Sequence, residues 1–263
     1  MAEFEQIASE DGTPIAFWRS GSGPPLVLVH GAAADHTRWD PVVPALEERF
    51  TVLAVDRRGH GQSGDAEEYA IEREYEDLAA VVEAAGENVD VVGHSHGGVC
   101  AVEAALLTDR IRSLVLYEPP MGFLATPPEV VERLATLLDA GERDELVAYF
   151  MREVAGLSVE QVELLRTLPP WESRIAVAHT IPREERASSA YEFDADRFRS
   201  LETPTLFLLG GESPPPFQAA ADALAEALPE CRVVVMPGQG HAAIDTGTEL
   251  FIAEILSFLE RDV

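Results

Sequence analysis

The feature that most constrains this chain is the octapeptide Val91-Val92-Gly93-His94-Ser95-His96-Gly97-Gly98, in which an apolar run passes through Gly-x-Ser-x-Gly into a helical stretch. A serine held on so sharp a strand-to-helix turn exposes its hydroxyl, and the flanking glycines make room for a backbone that approaches itself closely. Such a turn belongs at the carboxyl end of a sheet strand whose following helix returns over the sheet face. Ser95 is thereby the leading candidate for a nucleophile; the competing reading is a serine that only caps a helix.

The surrounding pattern agrees with an α/β chain. Apolar runs at 25–29, 51–55, 89–93, 111–117, 205–209 and 232–236 are mostly continuous rather than alternating, as in interior strands of a parallel sheet covered on both faces. Helical stretches are predicted around 39–48, 71–85, 97–107, 216–227 and 249–260, which produces a βαβ rhythm. Residues 4–20 read as an antiparallel hairpin turning at Asp11-Gly12. The rhythm breaks once, over 118–201, where two or three amphipathic helical patterns (129–138, 142–154, 158–168) lie between proline-rich boundaries. That segment is too long for an ordinary loop and reads as a helical cap over a crevice at the strand ends, inserted into a core made of 1–117 and 202–263.

Composition removes several function classes. Nineteen Lys+Arg stand against 47 Asp+Glu, a formal net charge of −28 at pH 7, so a basic footprint for nucleic acid is missing and anionic membrane surfaces would repel the chain. Cys100 and Cys231 are the two cysteines and lie in apolar segments, which suggests buried thiols rather than a disulfide or zinc frame. His30, His60, His94 and His96 fall near predicted strand ends, but no His-Glu-x-x-His pair accompanies them. Neither Gly-x-Gly-x-x-Gly nor a phosphate-binding Gly-Lys-Ser/Thr sequence occurs. The expectation is no metal, no cofactor and a small-molecule acyl substrate. Because Met1 to Gly12 lack a signal-peptide pattern and no apolar run is long enough to span a bilayer, a cytoplasmic protein is expected. Oligomeric state has no sequence signal.

Four motifs together resemble the capped α/β-hydrolase fold superfamily. They are His30-Gly31 after the third strand, Asp56-Arg57-Arg58-Gly59-His60-Gly61-Gln62-Ser63 after the fourth, the Ser95 pentapeptide after the fifth, and Gly238-Gln239-Gly240-His241 after the last. The resemblance implies a predominantly parallel eight-stranded sheet flanked by helices. It also implies an oxyanion hole made of the backbone N–H groups of Ala32 and His96. His241, between the last strand and the terminal helix, is placed to return an imidazole to Ser95 as general base.

The acid that should orient His241 is less directly readable. Relatives usually carry it after the seventh strand in a loop resembling Gly-Glu-x-Asp; this chain reads Gly211-Glu212-Ser213-Pro214, with proline in place of the aspartate. Glu118, just after the sixth strand, is preferred, with Glu212 as alternative and Asp194, Asp196 and Asp245 further behind. Asp56 reads as a brace for the loop that follows it. His30, Gly31, Met121, Phe123, Tyr149 and Trp171 are candidates for substrate contact, although His30 reads more readily as a loop brace and the cap residues as the cap's own core. Serine at position 95 argues against the aspartyl-ester chemistry of dehalogenases and epoxide hydrolases, and Cys100 lies too far along the helix to replace it. The leading reading is hydrolysis of a small or medium carboxylic ester through an acyl-enzyme. Thioester or lactone hydrolysis, cofactor-independent oxygenation, haloperoxidase-like chemistry and a noncatalytic binding protein are the alternatives.

Overall fold

The computed structural model describes residues 2–260. The chain opens on an antiparallel hairpin of β1 (Glu3–Ala8) and β2 (Pro14–Gly21), turning where Gly12 takes φ 85°. The apolar runs become β3 (Pro25–Val29), β4 (Thr51–Val55), β5 (Val89–His94), β6 (Ile111–Tyr117), β7 (Thr205–Gly210) and β8 (Cys231–Met236). All eight form one sheet in the order β1-β2-β4-β3-β5-β6-β7-β8. β2 pairs antiparallel with both neighbours, and every pairing from β4 to β8 is parallel.

Helices α1 (Val43–Leu46), α2 (Ile71–Ala85) and α3 (His96–Ala104) precede β6. Six more lie between β6 and β7: α4 (Pro128–Asp139), α5 (Arg143–Glu153), α6 (Val159–Arg166), α7 (Pro170–Ala176), α8 (Ile181–Ala190) and α9 (Ala195–Phe198). After β7 come α10 (Pro215–Ala227), α11 (Ala243–Thr246) and α12 (Thr248–Leu259). Alternate strand residues feed two cores, since side chains on a pleated strand point to opposite faces. Val27 and Val29 join Leu78, Val82, Val99 and Leu224 from α2, α3 and α10, whereas Leu26 and Leu28 join Leu46, Phe251 and Ile255 from α1 and α12.

The helical insertion between β6 and β7 builds a third core of its own, with Leu134, Leu146, Val147, Val162, Trp171 and Ile181. Ala33, from the loop after β3, is buried in that same cluster, so the cap rests directly on the loop that borders the crevice.

Two sequence expectations need correction. The helix predicted over 39–48 is a 3₁₀ turn, His36–Trp39, followed by the four-residue α1, because Pro41 and Pro44 interrupt backbone hydrogen bonding. The cap contains six helices rather than two or three. α7 and α9 span only 7 and 4 residues, too few for an amphipathic period to declare itself, and α7 and α8 both start with proline in their first turn.

The strand order creates the site. The chain passes from β3 outward to β4 and then crosses back over β3 to β5, so the carboxyl ends of β3 and β5 lie side by side, with Val29 opposite Gly93. A crevice opens at such a reversal in an α/β sheet. The approach is close enough that a Cβ on Gly97 would meet His30 O at 2.4 Å and Val29 O at 2.5 Å. Both are backbone atoms and cannot swing aside. Gly97→Ala is therefore expected to destabilise the fold by about 3 kcal/mol, read as a lower urea midpoint with unchanged slope; a stability equal to wild type would contradict this packing.

Candidate active site

Ser95 follows β5 with φ 54° and ψ −122°, a conformation that costs a non-glycine residue about 1–3 kcal/mol. The turn is held from both sides: Ser95 N–H donates to Tyr117 O at 2.8 Å, and Ser95 O accepts from Gly98 N at 2.8 Å. A Cβ on Gly93 would come within 2.6 Å of Gly97 O. The chain thus folds sharply here because glycine stands at each point of contact.

His241 is carried by the loop between β8 and α11. The Tyr117 hydroxyl fastens this loop to β6, donating to Gly240 O and accepting from Ala243 N at 2.8 Å. The imidazole stacks on Phe217 of α10, with centroids 4.7 Å apart and planes 18° from parallel, and lies 4.7 Å from the His94 ring. Its Nδ1 is 2.7 Å from Glu118 Oε2, while Glu118 Oε1 accepts from Gly210 N at 2.7 Å. Glu118 is fully buried at the end of β6, with φ 48°, and His241 keeps about a third of its side chain exposed. A carboxylate so engaged makes Nδ1 the donor nitrogen of neutral His241 and leaves Nε2 with its lone pair. No hydrogen bond joins Ser95 Oγ to His241 among the described residues.

The other acids lie elsewhere. Glu212 is exposed, and its backbone N–H donates to Gln239 O at 2.8 Å. Asp245 pairs with Arg38 at 2.8 Å, Asp194 caps α9 and Asp196 pairs with Arg199. Asp56 accepts from the backbone N–H groups of His36 and Gln62, bracing its loop.

His30 is buried and bridges two backbone positions. Its Nδ1 donates to Gly31 O at 2.8 Å, and its Nε2 accepts from Arg57 N at 3.1 Å. Burial, reinforced by the Arg57 charge, lowers its basicity well below that of an ordinary histidine and keeps it neutral. Gly31 O also accepts from Arg57 Nη2 at 3.2 Å. Because C=O and N–H point opposite ways in a trans peptide, fixing the Gly31 carbonyl turns the Ala32 N–H away from the His30–Arg57 side. A Cβ on Gly31 would lie 3.0 Å from Ser95 Cβ, so this loop borders the serine. His96 N–H is the first of α3 and has no partner within the helix. Neither it nor Ala32 N–H donates to a backbone acceptor among the described residues.

Sequence reasoning missed the buried ion network beneath this loop. Arg57, at the end of β4, reaches Glu74 of α2 at 2.5 Å and Glu184 of the cap helix α8 at 3.0 Å. His60 lies between Glu184 Oε1 at 2.6 Å and Ala34 O at 2.7 Å, and His96 contacts Glu74 at 3.3 Å and Ser188 at 3.1 Å. Burial alone would push the Glu184 carboxyl up, but the Arg57 charge and His60 outweigh it and hold it well below the usual range. The motif around Arg57 was visible in the sequence; its partners are 17 and 127 residues away.

Glu74, His96 and Cys100 also bring their ligating atoms within 4.8 Å of one another. They make a poor metal or thiolate site. Glu74 is already engaged by Arg57, Tyr69 and His96, and burial, with Glu74 beside it, pushes the Cys100 thiol well above its ordinary value.

The proposed contact residues are dispersed. Met121 is buried in the core that packs against α2 and α3, and Trp171 lies in the cap core with its Nε1 donating to Asp144 at 2.7 Å. Tyr149 packs partly buried against the same cap cluster, while Phe123 is exposed at 41% beside Phe193. No helix among the described residues is long and apolar enough to cross a membrane.

Residues 26–254 match the sequence profile of the alpha/beta hydrolase family. The chain belongs to that family. A crystal structure of an alpha/beta hydrolase from Sphaerobacter thermophilus superposes with a TM-score of 0.85 at 38% identity, covering 97% of this chain and 100% of that one. A pimeloyl-[acyl-carrier protein] methyl ester esterase of Aeromonas hydrophila is 29% identical over 92% of this hydrolase and 97% of its own length. A non-heme haloperoxidase of Rhodococcus erythropolis is 28% identical over 97% and 98%. The chain is an enzyme of the α/β-hydrolase fold, with a hydrolase type of reaction.

The ion network predicts that acid weakens the fold of this hydrolase. Glu184 has its carboxyl held below the ordinary 4.5, so it contributes stability above that pH and loses it as pH falls through the depressed value. Glu184→Gln should cost about 3 kcal/mol at pH 7 by leaving part of Arg57 unpaired. In urea titrations from pH 7 to pH 3 the gap between variant and wild type should narrow with acid; a constant gap would show that Glu184 ionisation is not coupled to folding.

Proposed function

We propose that this hydrolase cleaves small or medium carboxylic esters through an acyl-enzyme formed on Ser95. The observation that carries the reading is the 2.7 Å contact between Glu118 and His241, with the second carboxylate oxygen occupied by Gly210 N–H, on a loop whose His241 touches His94, the residue before Ser95. In this scheme His241 Nε2 takes the serine proton as Oγ attacks the carbonyl, then gives it to the departing alcohol. Water repeats the sequence and frees the acid. Glu118 fixes the imidazole tautomer and stabilises the transient imidazolium, and the Ala32 and His96 N–H groups receive the oxyanion. The name of the 29%-identical esterase agrees with ester chemistry.

Two competitors have an observation behind them. The haloperoxidase relative favours peroxide-dependent halide oxidation at the same Ser95–His241 pair. The Glu74–His96–Cys100 cluster favours a cysteine nucleophile, against which stand the burial of Cys100 and its raised thiol.

Labelling with a fluorophosphonate, followed by intact mass and peptide mapping, separates these readings. A single adduct on Ser95, absent in Ser95→Ala and retained in Cys100→Ala, is expected; an adduct on Cys100, or none on Ser95 in folded protein, would reject the serine scheme. Glu118→Gln should lower kcat on 4-nitrophenyl acetate by on the order of 10³-fold, whereas Glu212→Gln should stay near wild type. Ester turnover without peroxide or halide would set the haloperoxidase reading aside.

A further inference from the structure

All nineteen basic residues of this chain are arginines, set among 47 acids. Among the described residues, the arginines that are not exposed each have a carboxylate within ion-pair distance, with one exception: Arg174, on cap helix α7. Its one hydrogen bond runs from Nη1 to Ala33 O at 3.0 Å, on the residue after the proposed oxyanion donor Ala32. A guanidinium has five N–H donors in a planar fork suited to a carboxylate, so most of this one is unused. Burial and the neighbouring Arg38 charge lower its basicity from the usual arginine value, and the Asp245 and Asp35 carboxylates only partly offset them. Arg38 cannot neutralise it and is itself committed to Asp245 through both carboxylate oxygens, at 2.9 and 2.8 Å.

Position ties Arg174 to the reacting centre. Ala33 lies two residues from Gly31, whose Cα borders Ser95. Arg38, whose charge acts on Arg174, also acts on His94, the residue before Ser95 and a ring neighbour of His241. Arg174 therefore reaches from the cap onto the loop after β3, one residue from the proposed oxyanion donor. The guanidinium is half-buried and no carboxylate lies within ion-pair distance of it, so its free N–H groups are open to a ligand. An anionic ligand would supply the missing partner.

We propose that Arg174 is a specificity-determining residue that binds a carboxylate of the substrate, so that the esters this enzyme takes are half-esters of dicarboxylic acids. The inference rests on the serine-esterase reading above. The free carboxylate would dock on the unused edge of the guanidinium while the ester carbonyl at the other end of the acyl chain reaches Ser95. In a protein of charge −28 the long-range field repels anions, so the preference must come from this local contact.

The test compares mono-4-nitrophenyl esters of succinic, glutaric and adipic acid with the same compounds capped as neutral methyl esters. Wild type should favour the free acid over its neutral isostere by at least ~10-fold in kcat/KM at one chain length or more, the scale of a charge-assisted hydrogen bond. In Arg174→Gln that ratio should fall toward unity, chiefly through KM, and Arg174→Lys should retain part of it. Because the ratio is taken on one enzyme preparation, incomplete folding cancels. A purely structural role for Arg174 on Ala33 would slow both esters alike and leave the ratio intact, which would overturn the proposal, as would a wild-type ratio near unity at every length. Fluorophosphonate labelling of the same wild-type sample distinguishes the levels: a Ser95 adduct with no preference sinks the carboxylate site alone, and no adduct sinks the esterase reading and this inference with it.

Discussion

The site depends on one steric fact, the crossing of β5 and α3 beneath the loop after β3. Gly93, Gly97 and Gly31 each stand where a Cβ would press on backbone or on Ser95 itself. That closeness forces Ser95 into a left-handed φ and lifts its side chain to the end of the strand. The strain is borne by the rest of the sheet, chiefly by the parallel pairing of β5 with β3 and β6 and by the Ser95 N–H bond to Tyr117 O. Tyr117 then does a second job, because its hydroxyl ties down the His241 loop. One strand end thus sets the positions of the serine turn, the carboxylate and the imidazole.

A second level of organisation is electrostatic. Arg57 joins three parts that the chain order keeps apart: α2 through Glu74, the cap helix α8 through Glu184, and the loop after β3 through Gly31 O. Two buried carboxylates hold the guanidinium, and the guanidinium holds a carbonyl whose peptide carries the Ala32 N–H. Cap position and loop geometry are consequently linked through this side chain, alongside the His60 and Arg174 contacts to the same loop. A hydrophobic isostere of this network can match its packing energy, but it cannot orient the Gly31 carbonyl.

Much of this was legible in the sequence, and the reasons differ by element. Continuous apolar runs of 25–29, 51–55 and 111–117 become strands with the same limits, since strands buried on both faces have no polar alternation to blur them. The Ser95 turn was legible because its glycines are demanded by local geometry. The short cap helices were not, because seven or four residues are too few for a period, and the partners of Arg57 were not, because no local pattern links position 57 to 184. Trp171 illustrates a subtler limit: an aromatic on an amphipathic helix looks the same in sequence whether it lines a pocket or, as here, packs in the cap core with Asp144.

The contact of His241 with a carboxylate from β6 rather than β7 also has a physical account. β6 and β7 are adjacent parallel strands, with Tyr117 opposite Leu208, so their carboxyl ends are separated by one interstrand spacing, about 4.8 Å. A glutamate is long enough to reach from the β6 end to an imidazole poised over that gap. The Gly210 N–H at the end of β7 is then free to donate to Glu118 Oε1 rather than to a carboxylate of its own loop. The proline run after β7 has a use of its own: Pro215 and Pro216 start α10 at once, and the next residue, Phe217, stacks on His241. The carboxylate from the end of β6 and the aromatic ring from the first turn of α10 thus enclose the imidazole on two sides, so the proline run after β7 and the glutamate after β6 are parts of one arrangement.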